Sequence, residues 1–100
     1  MNQTINGLKE GYWVESHPNG VIKYKGHYIS DKKDGYWEWY HESGMLCYTC
    51  NYLSGNLYGH TEIYHKGNIS GVGNYFLNKK DGYWKHYDNY GKLHEQHIYI

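Results

Sequence analysis

From Leu46 to Tyr52 every second residue is apolar or aromatic, Leu46, Tyr48, Cys50 and Tyr52, with Cys47, Thr49 and Asn51 between them. That alternation predicts a β-strand with one side packed. The same period of two runs through Ile22, Tyr24, Gly26 and Tyr28, and through Ile69, Gly71, Gly73 and Tyr75. Ahead of the middle stretch, Gly35 to His41 carries Tyr36, Trp37, Trp39 and Tyr40, bulky rings that favour extended backbone. Glu42-Ser43-Gly44 then supplies a tight turn, so strand, turn and strand make a β-hairpin. Within the packed side, Gly26, Cys50 and Gly73 form a column of small residues. They leave room for a neighbouring ring, and Trp13, Trp37 and Trp84 are the candidates to fill it.

The hairpin repeats. Gly11-Tyr12-Trp13, Gly35-Tyr36-Trp37, Gly59-His60-Thr61 and Gly82-Tyr83-Trp84 follow one another at steps of 24, 24 and 23 residues. A second glycine follows each opening (Gly20, Gly44, Gly67, Gly91), and a tyrosine stands eight residues after it (Tyr28, Tyr52, Tyr75, Tyr99). The third copy is one residue short between its glycines, which accounts for the step of 23. A fixed period in this range signals a stacked array of small supersecondary units. The expected fold is therefore all-β, an elongated single-layer antiparallel meander of stacked hairpins with eight or nine strands. It forms one repeat domain over 1–100, with a partial unit at 1–10 and repeats at 11–34, 35–58, 59–81 and 82–100.

Composition narrows the function. The chain has 14 Tyr, 4 Trp, no Ala and no Arg, and its formal net charge is zero. A neutral chain sets up no global field for nucleic acid or anionic membrane. Without arginine the bidentate fork that reads phosphates and bases is missing. Nucleic acid is thus not an expected partner, and membrane contact ranks last. No apolar run is long enough to span a bilayer and the start lacks a leader pattern, so the expected compartment is the cytoplasm. The bias toward Asn, Tyr, Lys and Ile suits an AT-rich genome, a hint about source and not about activity; the expected origin is bacterial or phage.

Candidate chemistry is thin. Cys47 and Cys50 have the spacing of dithiol and zinc sites, but in a strand they point to opposite faces, and no second pair completes a zinc site. His17, His41 and His65 occupy equivalent positions, yet equivalent strands lie roughly 9 to 10 Å apart. One zinc ion holds its ligand atoms at about 2 Å. No metal, cofactor or catalytic group is expected, and the protein is read as no enzyme.

The repeat, quoted as Asp34-Gly35-Tyr36-Trp37-Glu38-Trp39-Tyr40-His41-Glu42-Ser43-Gly44 and closing with Asn51-Tyr52-Leu53-Ser54-Gly55, resembles the MORN repeats in their shorter bacterial variant. The resemblance covers nearly the whole chain through its register across four copies. It implies a curved antiparallel sheet and a role in binding or scaffolding; many bacterial copies carry an antitoxin label. The third unit departs from the pattern, with His60 and Thr61 in place of the aromatic pair, and a local gap or functional opening is expected there.

The residues expected to bind are Tyr12, Tyr36, Tyr40, His60, Glu62, Tyr64, Tyr83 and Tyr87, on the face opposite the packed one. Ile98, Tyr99 and Ile100 form an apolar final strand whose edge invites a second copy or a partner strand, hence a homo-oligomer. The first reading is a non-catalytic module that binds, scaffolds or inhibits another protein, such as a host or toxin protein. The alternative is capture of a small ligand, a nucleotide, a sugar or a choline-like group, stacked on the rings.

Overall fold

The computed structural model describes residues 2–100. Ten strands follow in order: β1 (Gln3–Ile5), β2 (Leu8–Ser16), β3 (Ile22–Ile29), β4 (Lys32–Tyr40), β5 (Leu46–Leu53), β6 (Asn56–Leu57), β7 (Gly59–His65), β8 (Asn68–Phe76), β9 (Lys79–Tyr87) and β10 (Leu93–Tyr99). They form one antiparallel sheet in the order β1-β2-β3-β4-β5-β7-β8-β9-β10, with β6 also paired to β5. Apart from the short β6, which pairs only with β5, each strand pairs with the next in the chain, which is the expected meander. The tenth strand arises because the third unit's first strand is interrupted at Tyr58, leaving β6 and β7 where β4 is continuous. The extents, 47 × 35 × 13 Å, are those of a single layer.

Gly11, Gly35 and Gly82 sit inside their strands, while Gly59 opens β7 after the interruption at Tyr58. Gly35 has φ 76°, Gly59 φ 90° and Gly82 φ 68°, a left-handed conformation that glycine adopts without a Cβ penalty. Beside Gly35 the β3–β4 register shifts between Lys25 and His27, and beside Gly82 the β8–β9 register shifts between Val72 and Asn74. The phrase glycine is thus the pivot of a bulge.

Connections between units are two-residue turns. Ser30-Asp31 (φ 46° and 70°) and Leu77-Asn78 (φ 45° and 71°) both place two residues in the left-handed region, as a type I′ turn requires. Backbone bonds then tie each turn to the previous unit, Asp31 N–H to Lys9 O at 3.0 Å and Asn78 N–H to Leu57 O at 2.9 Å. Leu77 is a poor residue for this conformation. Leu77→Asn is expected to raise stability by about 1 kcal/mol in denaturant melts, since asparagine tolerates the left-handed region. No gain would show that the Leu77 side chain holds the turn.

The missing residue of the third unit is explained by its turn. Units one, two and four close over longer loops in which Gly20, Gly44 and Gly91 donate to His17, His41 and Asp88 carbonyls. The third closes directly through Lys66 and Gly67, both at positive φ, with His65 paired to Asn68.

Register assigns the faces. Trp13 opposes Gly26, Trp37 opposes Cys50, and Tyr24 opposes both Glu15 and Trp39, so these share a tryptophan face. Its interior is an aromatic layer in which Trp37 and Trp84 are essentially fully buried and Trp13 and Tyr28 nearly so. A β-carbon added to Gly26 would overlap the Trp37 indole, and one on Gly73 would overlap that of Trp84. The small column thus lodges the ring of the following strand. Trp13, Trp37 and Trp84 each also donate the indole N–H to a carbonyl ten residues back: Trp13 to Gln3 O at 3.2 Å, Trp37 to His27 O at 3.1 Å and Trp84 to Asn74 O at 2.9 Å. A lysine covers each ring from outside, with Lys9 Nζ 4.9 Å from the Trp13 centroid, Lys33 Nζ 5.6 Å from Trp37 and Lys80 Nζ 4.9 Å from Trp84.

One expectation is corrected. Ile22, Leu46 and Ile69 do not follow Tyr24, Tyr48 and Gly71 onto the packed face. A register shift recurs in every unit just before the turn, pairing Ile22 with Ser16, Leu46 with Tyr40, Ile69 with Tyr64 and Leu93 with Tyr87. One extra residue in a bulge reverses the alternation beyond it, and Tyr40, Tyr64 and Tyr87 lie on the opposite face.

Candidate functional site

The face opposite the indoles is a tyrosine face. Tyr12 on β2, Tyr36 and Tyr40 on β4, His60, Glu62 and Tyr64 on β7, and Tyr83 and Tyr87 on β9 all alternate away from the Trp13, Trp37, Thr61 and Trp84 positions. The structure therefore brings all eight residues singled out from sequence to one side, the tyrosines and His60 in two columns with Glu62 in the row between them. Tyr36 and Tyr83 are about half exposed, whereas Tyr40, Tyr64 and Tyr87 are partly covered.

Two carboxylates organise the middle of this face. Glu38 accepts the Tyr36 hydroxyl at 3.2 Å and the Tyr40 hydroxyl at 3.1 Å, while Lys25 Nζ stands 3.5 Å from its Oε1. Glu62 accepts the Tyr64 hydroxyl at 3.2 Å and faces His60 Nε2 at 3.6 Å. Buried Thr49 separates them, paired to Glu38 on one side and Glu62 on the other. The row Lys25, Glu38, Thr49, Glu62, Val72, Lys85 therefore crosses the sheet with cations outside and carboxylates inside. Toward the β2 side, Tyr12 stacks edge-on to His27 at 5.2 Å, and a cleft of about 570 Å³ opens beside Tyr12, His27, Asp34, Tyr36 and Glu38.

Lys25, His27 and Thr49 were not singled out from sequence. Lys25 and His27 flank Gly26, so alternation about that glycine was the available signal. The burial of Thr49 depends on the ring packing of both neighbouring strands, which no spacing records.

These phenols resist ionisation. Burial, then the Glu38 charge and its hydrogen bond, push Tyr36 up to about 12; burial is also the leading cause of the raised Tyr40 and Tyr64 values. An unfolded phenol ionises near 10, so folded and unfolded chains differ in proton affinity above that pH. A raised folded value gives stability that is present below about pH 10 and lost as pH climbs toward 12. Stability should be level from neutral pH to about 9 and fall beyond 10, read by denaturant melts across pH. Glu38→Gln should bring the Tyr36 titration down without restoring it to 10, because burial is the larger cause. A Tyr36 titration at its ordinary value in the intact protein would contradict the arrangement.

The chemistry elsewhere is modest. Cys50 is buried on the tryptophan face, where burial raises its thiol above the usual range, while Cys47 occupies the bulge of β5. His17 Nε2 lies 2.9 Å from Tyr40 O and His41 Nδ1 lies 3.1 Å from Ser43 Oγ, so both histidines serve turns. Among the described residues no three His, Cys, Asp or Glu side chains are grouped closely enough to hold a metal ion. No helix among them is long and apolar enough to cross a membrane.

Comparison with characterised proteins and with solved structures returns no match. The family described as MORN repeat variant matches residues 9–30 and 33–54, the spans that run from the start of β2 to the β3 turn and from β4 to the β5 turn. Repeats of this kind serve in general to bind proteins or membranes. With two units matched directly and the later strands repeating their glycine pivots and buried indole, the chain is a MORN repeat protein.

Proposed function

We propose that the protein is a non-catalytic interaction module that binds another protein through its tyrosine face. The observation that carries this reading is the tethering of Tyr36 and Tyr40 to Glu38 and of Tyr64 to Glu62. Rings held by a partner on their own surface lose little rotamer freedom on docking, a cost that otherwise reaches about 0.5–1.5 kcal/mol per side chain. Tyrosine supplies apolar area and a polar tip at once, the combination enriched in interface centres. Between the two ligands that repeats of this family serve, a protein fits this face better than an anionic membrane. Its cations, Lys25 and Lys85, stand at the outside of the row with two carboxylates between them, so no basic stripe is offered to headgroups.

The test compares affinity purification on the native chain and on Tyr12→Ser/Tyr36→Ser/Tyr83→Ser, which leaves the buried indoles untouched. A stoichiometric protein partner that is held by the native chain and lost by the variant, with thermal unfolding nearly unchanged, is the expected result. Equal retention by the variant would remove the tyrosine face from the interaction. A native chain that holds only lipid would replace the protein reading with a membrane one.

A further inference from the structure

The third unit breaks the tryptophan face at three coordinated positions. Thr61 stands where Trp37 and Trp84 stand; Cys50 stands beneath it, where Gly26 and Gly73 lodge the indoles; and Leu57 takes the place of the covering lysines Lys33 and Lys80. The remaining surroundings are kept. Tyr48, Tyr52 and Tyr75 occupy the positions that Tyr24, Tyr28 and Tyr52 hold around Trp37, and Ile63 replaces Trp39. These seven side chains line a cavity of about 350 Å³. It is the receptacle of an indole, built by the repeat and left without one, and its volume lies toward the lower end of ligand pockets, about 300–1,000 Å³.

Two further observations point to a ligand. Thr61 is only 5% exposed, and its Oγ1 has no hydrogen-bond partner among the described residues, which is costly for a buried hydroxyl. The carbonyl that would receive the indole N–H by the ten-residue rule is that of Asn51; it accepts Tyr58 N–H at 2.9 Å and keeps a second lone pair. The exchange of lysine for Leu57 takes away the cation that covers the ring in the other units, so the cavity suits a neutral group. Cys50 is larger than the glycines it replaces, which closes the floor without filling the slot.

We infer that this cavity is a binding site for one neutral indole-type ring carrying a ring N–H, donated to Asn51 O. The ring arrives either as a small indolic molecule or as a tryptophan side chain of a partner polypeptide. This site lies on the opposite side of the sheet from the tyrosine face, so the two stand or fall separately.

Calorimetric titration of the full chain with indole tests it. Indole is expected to bind one to one, and 1-methylindole about tenfold more weakly, because the lost hydrogen bond is worth about 1–1.5 kcal/mol. Chemical-shift changes in the native chain should centre on Tyr48, Cys50, Tyr52 and Thr61. Cys50→Gly/Thr61→Trp, which writes the standard unit into the third repeat, should melt higher and bind no indole. Absent saturation, shifts centred elsewhere, or equal binding by a folded Cys50→Gly/Thr61→Trp variant would each overturn the inference. A blocked Gly-Trp-Gly peptide separates the two sources: binding alongside indole assigns a partner's side chain, and exclusion with indole still bound assigns a small molecule.

Discussion

Gly26→Ala is expected to destabilise the protein by about 3–5 kcal/mol, as much as deleting a buried tryptophan outright. The added methyl would occupy the volume of the Trp37 ring, which is wholly buried and pinned by its bond to His27 O. The obstacle is the flat body of an indole held by Tyr24 at 5.8 Å and Tyr28 at 5.0 Å, so no flexible tip can give way. Trp37 must leave its slot, and its whole burial is forfeited. Overpacking that a core can absorb costs about 1–3 kcal/mol, so a measured loss inside that range would mean the ring tilts and stays. Gly26→Cys/Trp37→Thr copies the pairing that Cys50 and Thr61 already make. It should lose less than the sum of its single changes, and a double-mutant cycle measures the coupling.

That pairing marks the boundary of what the residues disclose on their own. The period, the hairpins and the lodging of tryptophans over a small column follow from counting, since a glycine recurring at a fixed step before an aromatic pair specifies one stacked unit after another. The tyrosine face was legible for the same reason: alternation fixes opposite faces once one is assigned. The aliphatic positions were misplaced because a bulge depends on backbone conformation, which the alternation of side chains does not record. At the third unit, the substitution of His60 and Thr61 for the aromatic pair showed that something was missing. The linked changes at Cys50 and Leu57 are 11 and 4 positions away from Thr61 in sequence. Only the packing around Trp37 reveals that all three belong to one slot.

Trp84→Ala should cost about 3–5 kcal/mol locally, yet its effect should stop part-way along the sheet. In a repeat array each unit contacts only its neighbours, so stability is a sum of unit and interface contributions, and damage spreads until it meets a weak interface. Within β2 to β5 the interface is strong, because Trp37 reaches across to Gly26 and packs on Tyr28 and Tyr52. Across β8 and β9 it is again strong, through Trp84 over Gly73 and its contact with Tyr75 at 5.1 Å. Between them, at β5 and β7, no indole crosses, and the cavity above Cys50 takes its place. Removing Trp84 leaves β7 to β10 without a buried tryptophan, while β2 to β5 keep Trp13 and Trp37. Amide hydrogen exchange on Trp84→Ala should therefore show protection lost from Gly59 onward and retained from Tyr12 to Tyr52. The reciprocal change, Trp37→Ala, takes the ring at the centre of the main cluster of Trp13, Tyr28 and Cys50, and should unprotect β2 to β5 while β8 and β9 keep their protection through Trp84. Uniform loss in the Trp84 variant would show that the sheet unfolds as one unit and that the interface at β5 and β7 is no weaker than the rest.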